Sequence, residues 1–275
     1  MATATLTTTT RTRKKTKKQP RAEDSLATLK PLYPPAARAF LRREVGLTQS
    51  LIDAAFLILN AHPPNSSPDP YAVLRRKWDL LRITLETTMY SSITGENHPD
   101  ALPANLRSNL TISPSELVQT LHTRSIHLHS PKYTPDTPSS PQFLPLQILM
   151  ALVFASLKLD CPELGKNMVE QWLNHRADAP SGPSAPLYDG SSPPAPDPTE
   201  DMYERLIEAY CLQILPRLGE WDYAMEFLKY EPELAREKKK VSLHILVFDL
   251  GGKVPTGLYS FSTYTRLLRR CTLRQ

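Results

Sequence analysis

The chain has 275 residues, of which 40% are hydrophobic and 22% charged, with 27 prolines, nine glycines and three cysteines. That length supports one large domain or two small ones whose core needs no disulfide or metal staple, and the odd, widely separated Cys161, Cys211 and Cys271 fit thiols of a reducing compartment rather than a disulfide framework. The net charge of +5 has a local origin: Arg11, Arg13, Lys14, Lys15, Lys17, Lys18 and Arg21 fall within eleven residues, and removing these seven charges takes +5 to −2, so the body has no general electrostatic reason to bind nucleic acid.

Residues 1–30 are Thr/Ala-rich and then basic, without the apolar stretch of a secretory signal, and predict a disordered tail. The run RTRKKTKKQPR reads as a solvated arm; the alternative is a nuclear-localisation or polyanion-binding segment. A helical domain is expected over 31–240. Pro34 and Pro35 suit the first turn of a helix that Gly46 would stop, and LTQSLIDAAFLILNA continues with Leu51, Ile52, Ala55 and Leu59 at helical spacing. After a turn-rich loop over 62–70, YAVLRRKWDLLRITLETTMYSSI carries Tyr71, Leu74, Trp78, Leu81, Leu85 and Met89 on one stripe. Its other face, with Arg75, Arg76, Lys77, Arg82 and Glu86, reads as solvated, a groove for an acidic partner being the alternative.

Residues 95–112 read as irregular, and Ser113, Pro114 and Glu116 then spell a capping box that opens the next helix. Its His122, His127 and His129 do not share one helical face, so zinc is not expected there. A Pro/Ser/Thr insertion over 130–142, with Ser130, Thr134, Thr137 and Ser140 each before proline, is too polar to pack, as is a second insertion over 177–200.

Between the insertions lies the most apolar stretch, 143–176, which reads as two helices joined by a tight turn. Its apolar run is too short and too interrupted by Pro145 and Gln147 to cross a bilayer. A second hairpin follows at 201–234, broken near Pro216 and Gly219. Small residues mark the expected helix crossings: Ala151 and Gly165 in the first hairpin, Ala209 and Ala224 in the second. Ala151 and Ala209 are 58 residues apart, Gly165 and Ala224 are 59; without the 24-residue insertion the offsets become 34 and 35, the period of a tetratricopeptide repeat.

The two hairpins, and LGEWDYAMEFLKYEP in particular, resemble tetratricopeptide-like proteins, although neither first helix carries Trp-x-x-Leu-Gly. The resemblance implies an irregular array of antiparallel hairpins forming a superhelix with a binding face. A basic head, Pro/Ser insertions and separated hairpins are, more narrowly, similar to the fungal peroxins that sit in the peroxisomal membrane and recruit the AAA ATPases of receptor recycling. That family carries a C-terminal anchor, whereas residues 241–275 offer only about ten apolar residues before Asp249, Gly251 and Gly252; helical periodicity also fades after Lys240, so this tail has no assigned structure.

No phosphate-binding Gly-rich loop, nucleophile elbow or local Cys/His signature is present. The expectation is therefore an intracellular, non-enzymatic all-α scaffold without cofactor or metal, cytosolic or on the cytosolic face of the peroxisome. Its expected partner is another protein, an AAA ATPase or an import receptor in the narrower version. The alternative is a nuclear or nucleic-acid-associated factor directed by the basic arm.

Overall fold

A computed structural model of the chain describes residues 22–64, 69–92, 102–131, 140–178 and 198–252, which are helical and contain no strand. The basic arm and most of both Pro-rich insertions lie outside these residues. The helices are α1 (Ala22–Leu41), α2 (Val45–Ala61), α3 (Ala72–Ser92), α4 (Ala104–Asn109), α5 (Pro114–His129), α6 (Leu146–Lys158), α7 (Pro162–Asp178), α8 (Pro198–Ala209), α9 (Leu215–Arg217), α10 (Trp221–Tyr230) and α11 (Arg236–Gly252). A π turn, Tyr210–Ile214, joins α8 to α9.

Two apolar clusters hold these helices together, and α3 belongs to both. Its Trp78, Leu81 and Leu85 pack with Leu29 and Ala36 of α1 and Ile52, Ala55 and Leu59 of α2. On its other side Ile83 joins Leu117 and Leu121 of α5 and Ile148, Leu149 and Leu152 of α6 in a second cluster that continues through α7, α8 and α10 to Leu246 of α11. The apolar circumference of α6 is thus used on several sides, against α3, α5, α7 and α8.

Among the described residues three hairpins share one turn. The pairs α1/α2, α6/α7 and α9/α10 are each joined by three residues, 42–44, 159–161 and 218–220. The middle residue is left-handed in every case: Arg43 at φ 61°, Asp160 at 55° and Gly219 at 77°. The third residue donates its N–H to the carbonyl five positions back, Glu44 to Ala39, Cys161 to Ser156 and Glu220 to Leu215, each at 2.9 Å. This is the Schellman closure, which satisfies carbonyls that a helix end otherwise leaves open.

The first hairpin, expected to turn about Gly46, turns a few residues earlier, because its left-handed position holds Arg43 rather than glycine. Gly46, expected to stop the helix, lies inside α2 instead. Likewise α1 begins at Ala22 and runs through Pro31, Pro34 and Pro35; burial of Leu29 and Ala36 on either side of the first prolines overrides their local penalty. Two more segments without an expected helix form one, 104–109 within a stretch read as irregular and α11 beyond Lys240. The capping box at Ser113 and Glu116 forms reciprocally, with Ser113 N–H donating to Glu116 Oε2 at 2.9 Å and Glu116 N–H to Ser113 Oγ at 3.3 Å.

The spacing between small residues is 14 in the first sequence-derived hairpin and 15 in the second. The π turn accounts for that difference, because it holds one more residue between bonded groups than an α turn. It also sits directly before Pro216, which has no N–H to continue the ladder. Gly165 marks a close approach between helices: a Cβ there would lie 2.5 Å from Ser156 Oγ and 3.2 Å from Ile214 Cδ1. Ser156 itself is fixed, donating to Val153 O at 2.7 Å. Arg217 Nη1 reaches across to Leu157 O at 2.8 Å and ties the second turn to the end of α6.

Two substitutions follow from this geometry. Gly165→Leu destabilises the protein by about 1–3 kcal/mol through overpacking, whereas Arg43→Gly stabilises it by about 0.5–1 kcal/mol by removing left-handed strain at a greater backbone-entropy cost; thermal unfolding of both variants checks the opposite signs.

Candidate binding cleft

The face of α3 read as solvated is largely inside the molecule. Arg75, Asp79, Arg82 and Glu86 recur at i, i+4, i+7 and i+11, one stripe of the helix, and α5 packs close to it. Arg75 is 1% exposed, Asp79 0% and Glu86 5%, because apolar clusters pack on both sides of α3. Arg76 and Lys77 are less enclosed.

One end of the stripe is closed within the chain. Arg75 Nη2 donates to His62 O at 2.8 Å and Asp69 Oδ2 at 3.3 Å, and Nη1 reaches Leu128 O at 3.5 Å. Burial lowers the pKa of this guanidinium while Asp69 pulls it back. Asp79 faces Arg82 Nη2 at 2.5 Å and His129 Nε2 at 3.2 Å. Burial opposes ionisation of Asp79, but Arg82 and His129 outweigh it and hold the carboxyl below the ordinary carboxylate range. His129 therefore serves as an ion-pair partner of α3, and His122 is a buried ring whose pKa burial lowers.

The other end opens into a cleft of about 310 Å³ between α2, α3, α4 and α5, lined by Gln49, Asp53, Phe56, Asn60, Arg82, Glu86, Asn105, Asn109 and Arg124 among others. Glu86 forms a buried anion there: its Oε2 accepts from Asn109 Nδ2 at 2.7 Å and from Arg124 Nη1 at 3.4 Å. The Arg82 guanidinium lies 4.5 Å from the centre of the Phe56 ring. Asp53 stands exposed on α2 and accepts from Gln49 Nε2 at 2.8 Å.

No family model matches this chain, and neither curated proteins nor solved structures show a likeness to it. The paired helices and the repeated turn are compatible with a helical-repeat fold.

The α2 helix bounding the cleft buries Ile52, Ala55 and Leu59 but also leaves large apolar side chains in water. Thr48 and Gln49 are buried, with Thr48 Oγ1 bonded to Glu44 O at 2.9 Å, while Leu47 is 50% and Leu57 78% exposed. At 3.6 residues per turn, exposed Ala54 and Leu57 stand one step around the helix from Asp53 and Asn60, so an apolar ridge borders the polar cleft.

Of the residues singled out by sequence, Arg11, Arg13, Lys14, Lys15, Lys17, Lys18 and Arg21 lie outside the described residues. Gly165 faces Ser156 on α6 rather than Ala151, which is half-buried; Ala209 and Ala224 are buried in the second hairpin. None of these four lines the cleft. Asp53, Glu86, Asn109 and Arg124 were missed as a site because three of them come from elements other than α3; the i, i+4, i+7, i+11 recurrence of charge was the one readable signal. Among the described residues no group of three or more His, Cys, Asp or Glu is arranged to hold a metal ion, and no helix is long and apolar enough to cross a membrane.

Asp79 gives a pH test. Its folded pKa is depressed, so its contribution to stability is complete above the unfolded value and is lost as pH falls through the folded one. Asp79→Asn costs about 3 kcal/mol near neutral pH by leaving buried Arg82 and His129 without their anion, and denaturant unfolding across pH shows the gap to the parent protein closing as pH drops through the carboxylate range.

Proposed function

We propose that this chain is a non-enzymatic scaffold that binds another protein through the α2–α5 block, using the cleft and the apolar ridge beside it. The observation that carries this reading is the exposure of Leu47 and Leu57 on α2. A helix that buries Thr48 and Gln49 while leaving Leu47 and Leu57 in water forgoes roughly 1.5–3 kcal/mol for each large apolar side chain left uncovered. Leu41, 79% exposed at the adjoining turn, extends the same edge. Apolar side chains next to buried charge and a polar cleft are the composition of a recognition surface.

The finer form of the proposal is an adaptor at the cytosolic face of the peroxisome that engages an AAA ATPase or an import receptor. It draws on the resemblance of the basic head, the Pro/Ser insertions and the separated hairpins.

A photo-crosslinking residue in place of Leu57 tests the scaffold reading in cells. Discrete protein adducts are expected at this position and not at Thr84, an exposed position on α3. Absence of protein adducts at position 57, together with salt-sensitive DNA or RNA binding that disappears when residues 11–21 are neutralised, would replace the scaffold with the nucleic-acid reading. A fluorescent fusion decides the finer form: peroxisomal puncta support it, and nuclear or diffuse signal retires it.

A further inference from the structure

We propose that the cleft is a socket for one lysine or arginine side chain of a partner segment, with Glu86 as the anion that receives it; the proposal rests on the scaffold reading. The case begins with two carboxylates on one stripe of α3. Asp79 is completed within the chain by two close partners, the Arg82 guanidinium at 2.5 Å and the His129 ring at 3.2 Å. Glu86 is almost as deeply buried and is not. Its short contact, 2.7 Å, comes from the neutral amide of Asn109, which supplies a dipole and no charge. Its cation, Arg124, stands at 3.4 Å on a side chain that is 48% exposed.

A buried carboxylate needs a close countercharge to offset its lost hydration. Arg82 is engaged elsewhere, its Nη2 held by Asp79 and its guanidinium over Phe56. A cation closer than Arg124 can reach Glu86 through the cleft, which is open beside it and has a volume of about 310 Å³, at the small end of ligand sites and large enough for one long side chain. Asp53 at its rim adds a second carboxylate for a cation passing inward.

The ridge beside the cleft specifies the rest of the segment. Ala54 and Leu57 would cover apolar residues flanking the cation, so the preferred partner is a segment in which lysine or arginine alternates with apolar side chains. The lining also holds two guanidiniums, Arg82 and Arg124, already engaged with Asp79 and Glu86. Binding exchanges the long Arg124 contact for a close one, and Arg124 competes with the incoming cation rather than assisting it.

The test uses the full chain and NMR of the Asn109 side-chain amide, titrated with N-acetyl-arginine methylamide, its citrulline counterpart and inorganic phosphate. Arginine is expected to shift the Asn109 signal saturably, citrulline and phosphate not. Glu86→Gln weakens arginine binding by about tenfold or more, the effect of removing one buried charged partner; Asp53→Asn weakens it less, and Arg124→Gln strengthens it. Equal shifts from citrulline, a response to phosphate instead of arginine, or loss of binding in Arg124→Gln would each overturn the socket. Should Glu86→Gln fail to fold, the opposite signs of Asp53→Asn and Arg124→Gln still decide. Crosslinks at position 57 without arginine binding would retire the socket and keep the scaffold; arginine binding without protein crosslinks would retire the scaffold.

Discussion

Everything in this fold depends on α3 being buried from two sides. A helix with one apolar stripe can rest on a core and leave its remaining surface to water. Here Trp78, Leu81 and Leu85 face one cluster and Ile83 faces another. The charged residues between them have nowhere to go but inward. Arg75, Asp79, Arg82 and Glu86 become an internal polar stripe, stable only where each charge finds a partner. The upper part of that stripe is satisfied by residues 62, 69 and 129. Its lower part is satisfied only loosely, and that is where the molecule opens.

The hairpins express a second constraint. Three times the chain reverses through three residues with a left-handed centre, and each time the same 2.9 Å backbone bond closes the turn. The same closure thus serves hairpins that lie in different apolar clusters, α1/α2 in one and α6/α7 and α9/α10 in the other. Variation is absorbed elsewhere, as the π turn before Pro216 shows. Exposed ion pairs such as Arg176 with Glu233 at 2.6 Å decorate this arrangement and contribute little to it.

The all-α class, the α6/α7 hairpin, the capping box and the approach at Gly165 were legible because they rest on local patterns: apolar periodicity, a capping pair, a missing side chain. The α1/α2 hairpin was legible but its turn was placed at Gly46, because Arg43 occupies a position where glycine would have announced it. The first half of α1 was hidden by prolines whose local cost is offset by tertiary burial. The cleft was hidden for a different reason. Charge on a helix face is normally solvated, and only the second apolar cluster, assembled from residues 117 onward, turns the α3 charges inward. Its partners Asp53, Asn109 and Arg124 are brought together by topology, which local spacing does not encode.

The most direct test of the central claim is native-state hydrogen exchange along α3. If α3, which with α5 is shared by both clusters, holds the fold together, amides from 78 to 87 exchange only through global unfolding and rank among the slowest in the protein, with α1, α2, α7 and α10 opening at lower free energy. Exchange of the α3 amides at the rate of the outer helices, or protection in α6 and α7 that persists after α3 has opened, would contradict it.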